Sequence, residues 1–433
     1  MISPTEVGLL MMAGLLVLLF IGMPIAFSLG LIGLAGLAAT RGLPSLTFLA
    51  GNFPYSATAE LGLIIIPLFL FMGHLAFSAG LSSRAYTAAR SWVGHVPGGL
   101  AMATVYGCAG FATVSGSSVA TAATMAKVAV PEMLNAGYSA RLAAGCVAAG
   151  GTLGVLIPPS GILVIYSIAT GVSLSELLIA AVVPGVLTAL LYALGIAVMV
   201  RRDPSLVPTQ RPARASWRER TRSLLGAWEA GLLFLLVMGS IYLGVATPTE
   251  AAAVGAAVAL LIAFARTRGD RGALGRGLIE TGTTTASIFA LIVGAGLFGL
   301  ALATTQIPQD LAEWVGTLGL GPTTLLICLL LPYLVLGAFI DGLSMILLTM
   351  PVVYPIIEQA GIDPVLFGIL VTKMTEIGAI TPPVGLNVFV VQGAVPELNI
   401  TDAFRGAAPF VVIEGVVVLL LIFVPILTLG FIR

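Results

Sequence analysis

Gly154-Val155-Leu156-Ile157-Pro158-Pro159-Ser160-Gly161 is echoed 224 positions later by Gly378-Ala379-Ile380-Thr381-Pro382-Pro383-Val384-Gly385, and these two stretches decide how the chain folds. Neither can be an uninterrupted helix, because paired prolines remove backbone donors and clash with the preceding turn. Each lies in the middle of a long apolar run, so each reads as a helix broken at membrane depth. Carbonyls freed there must be satisfied by protein, water or an ion, since lipid offers no donors. A pair of kinks that only shape helix packing is the plainer alternative. Two interrupted segments at matching positions in two halves favour a binding site instead.

The same shift aligns more than the breaks. Pro131 falls on Pro355 and Gly137 on Gly361, with no gap needed, and Val128, Leu142, Val147 and Val164 also meet identical residues. Apolar coincidences are common in such a chain, whereas matched prolines and glycines are not. The chain therefore divides into a first half over 1–200, a basic loop over 201–222 and a second half over 223–433. Each half carries a hairpin (near 114–135 and 341–358) followed by a broken helix (near 141–170 and 364–395).

Composition sets the solvent. Of 433 residues, 58% are hydrophobic and 9% charged, against about a quarter charged in soluble domains. Nineteen basic residues balance nineteen acidic ones, so nothing global attracts nucleic acid. Cys108, Cys146 and Cys328 stand apart in apolar stretches, with neither metal-ligand nor disulfide spacing, and read as packing residues. Runs long enough to span the hydrocarbon, roughly 20 residues, lie at about 7–39, 61–80, 97–113, 141–170, 173–200, 224–246, 248–265, 281–304, 321–340, 364–380 and 403–432. The first is too long for a signal peptide and reads as a retained membrane segment. The fold expected is an all-α polytopic membrane protein of two pseudo-symmetric, inverted repeats.

Seven arginines lie between Arg201 and Arg222, and Arg266, Arg268, Arg271 and Arg276 follow in the next hydrophilic stretch. The positive-inside rule puts both stretches in the cytoplasm. The segment between them must cross and return, turning near Thr247-Pro248-Thr249-Glu250. The basic loop could also bind anionic lipid, although orientation alone accounts for it.

Each break is preceded by a segment of small and polar residues. The first is Thr113-Val114-Ser115-Gly116-Ser117-Ser118, continuing to Thr121 and Thr124; the second is Gly337-Ala338-Phe339-Ile340-Asp341-Gly342-Leu343-Ser344. Such runs allow a tight turn and leave carbonyls and hydroxyls facing a cavity, which suits a hard cation, while close helix packing is the competing use. Few ionisable residues sit deep in the apolar stretches, so each is a candidate. Lys373 and Glu376 are three apart on one helical face, where they either neutralise one another or serve the break. Lys127 and Glu132 flank the first hairpin as interfacial anchors; His74 and His95 carry no assigned role. No His-Glu-x-x-His, Ser–His pairing, aspartate pair or nucleotide-binding loop is present, so neither an enzyme nor an ATP-driven pump is expected. A channel commonly uses symmetric subunits, and a pseudo-symmetric single chain fits a carrier better.

Ile66-Pro67-Leu68-Phe69, Ser115-Gly116-Ser117-Ser118, Gly154 to Ser160, Thr249-Glu250-Ala251-Ala252, Asp341-Gly342 and Thr381-Pro382-Pro383-Val384-Gly385-Leu386-Asn387 together resemble the large membrane subunit of TRAP (tripartite ATP-independent periplasmic) transporters. The resemblance covers nearly the whole chain. It implies an elevator carrier in which a mobile transport domain slides against a scaffold in the bacterial cytoplasmic (inner) membrane. It also implies a small partner subunit of about four helices and a periplasmic substrate-binding protein. The substrate class is organic acids such as C4-dicarboxylates, sialic acids and other sugar acids. No cofactor is implied beyond sodium as coupling ion. A first sodium site would use Ser115, Gly154, Ile157 and Pro158, and a second Gly337, Gly378 and Thr381. Ser117, Ser118, Thr121, Asp341, Pro159, Pro383 and Asn387 become candidates for the substrate cavity. At the hairpin tips the repeat departs from identity, Ser115 meeting Phe339 and Ser117 meeting Asp341, so the two sites are not chemically equivalent. A stand-alone anion symporter with paired hairpins is the rival reading; a channel or membrane-embedded enzyme is a more distant one.

Overall fold

The computed structural model describes residues 3–209 and 212–432, and all regular structure among them is helical. Gln210 and Arg211 of the basic loop, and the Arg271 side chain of the second basic stretch, lie outside the described residues. Among the described residues, seven helices are long and apolar enough to cross a membrane, or up to nine when each bent pair counts as one span.

The chain opens with α1 (Pro4–Phe20) and α2 (Ile25–Thr58). The single span expected over 7–39 is thus two helices. Gly22 takes a φ of +85° and Pro24 caps α2, so the backbone between them leaves the helical region. Then come α3 (Ile65–Ser78) and the amphipathic α4 (Leu81–Val93). Next, α5 (Gly99–Ser115) and α6 (Ser118–Asn135) form a hairpin whose tip is Gly116-Ser117. α7 (Ala140–Leu156) and α8 (Gly161–Thr170) are the halves of the first broken helix, bent by 42°. α9 (Leu174–Arg202) returns to the basic loop.

After the loop, α10 (Trp217–Gly226) leads into α11 (Trp228–Tyr242) and α12 (Pro248–Arg266). Buried Glu229, in the first turn of α11, accepts hydrogen bonds from Arg84 Nη1 at 2.9 Å and from Arg266 Nε at 2.8 Å. This sets the start of α11 beside the end of α12, so the pair crosses and returns. The turn closes where Thr247 and Glu250 cap one another at the start of α12. α13 (Arg271–Ala303) crosses once more, and α14 (Ile307–Thr317), absent from the apolar scan, follows it. Three crossings, α11, α12 and α13, lie between the basic loop and the second hairpin, so that hairpin enters from the opposite side and the repeats are inverted.

The second repeat is α15 (Pro322–Gly337) with α16 (Gly342–Gln359), then α17 (Pro364–Ala379) with α18 (Leu386–Ala394). α19 (Ile400–Phe423) and the short α20 (Ile426–Leu429) end the chain. The 224-residue shift carries α6 onto α16 residue for residue, and Ser117, the cap of α6, onto Asp341, the cap of α16. Both the Pro158–Pro159 and Pro382–Pro383 bonds are cis. One hydrophobic core gathers α5, α6, α7, α9, α18 and α19. There α7 crosses α19 with Gly145 against the Gly406 backbone, leaving no room for a Cβ on either.

Candidate functional site

In a helix, the carbonyl of residue i is bonded by the N–H of residue i+4. For Gly154 and Val155 those donors would come from Pro158 and Pro159, and for Gly378 and Ala379 from Pro382 and Pro383, none of which has an N–H. The sequence therefore leaves two carbonyls without their helical partner at each break.

At the first break the hairpin tip covers this opening. Gly161 N–H donates to the Gly116 carbonyl at 3.3 Å, tying the tip to the start of α8. Ser115 Oγ lies 2.9 Å from Thr121 Oγ1 and donates to the Ser117 carbonyl at 3.2 Å, and Thr121 donates to the same carbonyl at 2.8 Å. A Cβ on Gly154 would stand 2.5 Å from Thr121 Oγ1 and closer still to the Ser117 carbonyl oxygen. Hydroxyl and carbonyl oxygens from the tip thus crowd the unbonded end of α7. Residues 151–160, Pro158 and Pro159 among them, are buried, and Ile157 packs against Gly185 of α9.

The second break is built alike but left more open. A Cβ on Gly378 would collide with the Gly337 backbone, so the end of α15 rests directly on α17. Thr381 Oγ1 donates to the Ile377 carbonyl at 2.6 Å, and its N–H to the Gly378 carbonyl at 3.1 Å. Pro382, Pro383 and Val384 are exposed. Among the described residues no three His, Cys, Asp or Glu side chains gather as metal ligands. The oxygens gathered at the first break are neutral hydroxyl and carbonyl groups.

The two tips meet. A cavity of about 160 Å³ is lined by Ser115, Gly116 and Ser117 from the first tip and Asp341, Gly342 and Leu343 from the second, with Gly161 of α8 and Thr284 of α13, and its remaining walls are apolar, Ile66, Phe69, Val155, Ile162 and Ile288 among them. Three helix N-termini converge on it: α6 capped by Ser117, α8 capped by Ser160 and α16 capped by Asp341. Their dipoles favour an anion there, while Ser117 Oγ and Ser160 Oγ already accept from Ala120 N and Leu163 N, each at 3.3 Å. Asp341 accepts from Leu343 N and Ser344 N, each at 3.1 Å, and so already occupies one of the three ends. A wider vestibule of about 500 Å³ shares Ser115, Ser117 and Thr284 and adds Lys127, His74 and Glu280. His74 pairs with Glu280 at 3.0 Å. It lies towards the end of α13 that carries Arg276, the cytoplasmic side by the charge rule.

Other expected residues sit elsewhere. Ser118 is buried and faces Glu376, whereas Asn387 is fully buried and donates from Nδ2 to the Ala148 carbonyl at 3.3 Å, bracing α18 on α7 away from the cavity. Lys373 and Glu376 do not neutralise one another. The Lys373 ammonium is paired with Glu414 of α19 and donates to Thr188 Oγ1 at 3.0 Å, while Glu376 Oε2 is buried without a partner. Glu414 also accepts from Tyr192. A helix positions side chains outward as well as along its own face, and Lys373 points across to α19 and α9. Sequence reading missed Glu414, although a lone carboxylate in the last apolar run was the available signal.

Residues 12–427 match the family described as "Tripartite ATP-independent periplasmic transporter, DctM component". The C4-dicarboxylate TRAP transporter large permease protein DctM of Pseudomonas aeruginosa is 39% identical over 369 residues, 85% of each chain. The sialic acid TRAP transporter large permease protein SiaM of Vibrio cholerae is 34% identical over 427 residues, 96% of each. Among solved structures, that of the Alcanivorax borkumensis YdaH transporter, described as having an unusual topology, superposes with a TM-score of 0.67 over 90% of each chain at 18% identity, which shows a shared fold.

Proposed function

The chain belongs to the DctM component family of tripartite ATP-independent periplasmic transporters, and from that premise we propose that it performs sodium-coupled uptake of a small organic acid across the cytoplasmic membrane. It is a transporter permease subunit and not an enzyme, a multi-pass protein of the inner membrane. As one component of a tripartite system it works with others. In our reading these are a small membrane subunit of about four helices, which completes the scaffold, and a periplasmic binding protein that delivers the substrate. The substrate is a carboxylate of the kind named for the relatives, a C4-dicarboxylate or a sugar acid such as sialic acid.

The observation that carries this reading is the cavity between the two hairpin tips, with three helix N-termini aimed into it. It suits a carboxylate, and the oxygen-rich breaks on either side suit sodium. Ser115, Gly154, Ile157 and Pro158 would hold one ion and Gly337, Gly378 and Thr381 the other, largely through backbone oxygens. Ions bound there order the tips around the substrate, which couples the two cargoes, and the hairpins with their broken helices then move as one body against α2, α3, α12 and α13.

The test is reconstitution with the candidate small subunit and binding protein in proteoliposomes, offering a panel of organic acids with and without an inward sodium gradient. Saturable uptake that needs both the gradient and the binding protein is expected. Uptake without the binding protein would favour a stand-alone symporter, and equal uptake on a proton gradient alone would remove sodium from the mechanism.

A further inference from the structure

The basic loop holds an arrangement that membrane orientation does not require. α10 packs on α4 at the cytoplasmic surface and buries Arg220, which is only 4% exposed. Its guanidinium lies 5.7 Å from the ring centre of Trp92 and 5.5 Å from that of Trp217. The two indoles meet edge to face at 6.0 Å. The neighbouring carboxylate is engaged elsewhere, since Glu219 accepts from Ser216 N at 2.7 Å and Ser216 Oγ at 2.8 Å in a capping box. Arg220 Nε and Nη2 are buried with no hydrogen-bond partner.

Those two nitrogens form one edge of the guanidinium, the edge that pairs bidentately with an oxyanion. Buried Lys373, by contrast, is matched by Glu414. Among the described residues Arg220 has cation–π contacts but no anion. Beside it stands His95, whose Nδ1 is also buried and unpartnered. Burial, and then the charges of Arg220 and Arg214, hold its imidazole below the ordinary value. Outward, α10 shows Trp217, 68% exposed, with Leu224 and Leu225, beside the exposed charges of Arg218, Glu219 and Arg222. An amphipathic helix with an indole and arginines is suited to the headgroup layer of a bilayer.

We propose that Trp92, His95, Arg214, Trp217 and Arg220 form a binding site for a phosphate group, carried by an anionic phospholipid of the cytoplasmic leaflet. The phosphate oxygens accept from Nε and Nη2 of Arg220, Arg214 adds a second positive charge, and the acyl chains lie along Leu224 and Leu225. Trp217 is the movable cover of the site. Occupancy pins α10 to α4 and to the membrane surface.

The experiment uses the purified full chain in neutral detergent, reading tryptophan fluorescence and melting temperature. Dihexanoyl phosphatidylglycerol, dihexanoyl phosphatidylcholine and inorganic phosphate are titrated separately. Phosphatidylglycerol is expected to give a saturable change and a raised melting temperature, and phosphatidylcholine neither. Arg220→Gln should weaken phosphatidylglycerol binding about tenfold or more, with Arg222→Gln, on the exposed face, changing it less than about threefold. Arg220→Lys keeps the stem and charge between the indoles but loses the forked edge. It should weaken binding nearly as much, and it stands in if the glutamine variant does not fold. Inorganic phosphate binding as tightly as the lipid, with the same dependence on Arg220, would overturn the lipid as source while retaining phosphate as ligand. Equal responses to the two lipids, no saturable response, or equal losses in the Arg220 and Arg222 variants would overturn the site.

Discussion

Ser117 and Asp341 are the N-caps of the returning arms of the two hairpins, they stand 224 positions apart in the chain, and both line the same cavity. One fold position is thus filled by a neutral hydroxyl in one repeat and by a carboxylate in the other. The first tip adds no charge to the cavity, and the second brings a negative group already held by the Leu343 and Ser344 N–H groups.

Capping and charge at Asp341 can therefore be separated. Asp341→Ala removes the acceptor for two backbone donors and should cost about 1 kcal/mol, while Asp341→Asn keeps an acceptor and should cost a few tenths. Thermal melts of the two variants check this. Equal losses would mean that the cap does not stabilise the tip.

Gly154 and Gly378 have no space for a side chain, because hairpin-tip atoms fill the position of a Cβ at each. Valine at either position should abolish sodium-driven uptake while leaving membrane insertion near wild type. Quantitative blotting of membranes beside the uptake assay decides it. Normal sodium-driven transport by either variant would remove that break from the ion sites.

Ser115 Oγ touches both Thr121 and the Ser117 carbonyl at the first tip. Ser115→Ala should raise the sodium concentration for half-maximal uptake about tenfold, equivalent to about 1.4 kcal/mol, with little change in melting temperature. A lowered melting temperature with unchanged sodium dependence would make Ser115 a packing residue only.

Lys373 and Glu414 are both fully buried and joined between α17 and α19. Lys373→Met alone leaves a buried carboxylate uncompensated and should destabilise by about 3–5 kcal/mol. Adding Glu414→Leu should recover much of that loss. The recovery is read from chemical unfolding of the two variants; additive losses would mean that the pair is not coupled.

Orientation can be read from cysteine labelling. Cys108 and Cys146 are buried and Cys328 is exposed, so Cys328→Ser supplies a quiet background. On it, Ser205→Cys should react with a membrane-impermeant maleimide only from the cytoplasmic side, and Val245→Cys only from the periplasmic side. Reversed reactivity would invert the topology drawn from the arginine loops.

The repeat, both breaks and the turn at Thr247 were legible because each is written in local covalent terms. Proline lacks an N–H wherever it stands, and the 224-residue spacing survives in the boundaries of α6 and α16. The amphipathic α4, α10 and α14 escaped the apolar scan because they lie along a surface and carry charges that hydropathy counts against them. The early run over 7–39 was over-read as one span because apolar residues continue straight through Gly22 and Pro24.

By itself, then, the sequence determined a membrane-embedded chain of two related halves, each with a helix that cannot continue through its Pro-Pro step. Only the tertiary structure decided that the two hairpin tips share one cavity, that Lys373 meets Glu414 instead of Glu376, and that Arg220 is enclosed between two indoles with an edge left unbonded. The reason is geometric. A missing backbone donor is fixed by the residue that lacks it, whereas the partner of a side chain depends on how far each helix is rotated and how closely it crosses its neighbour, which the packing of all the helices sets together.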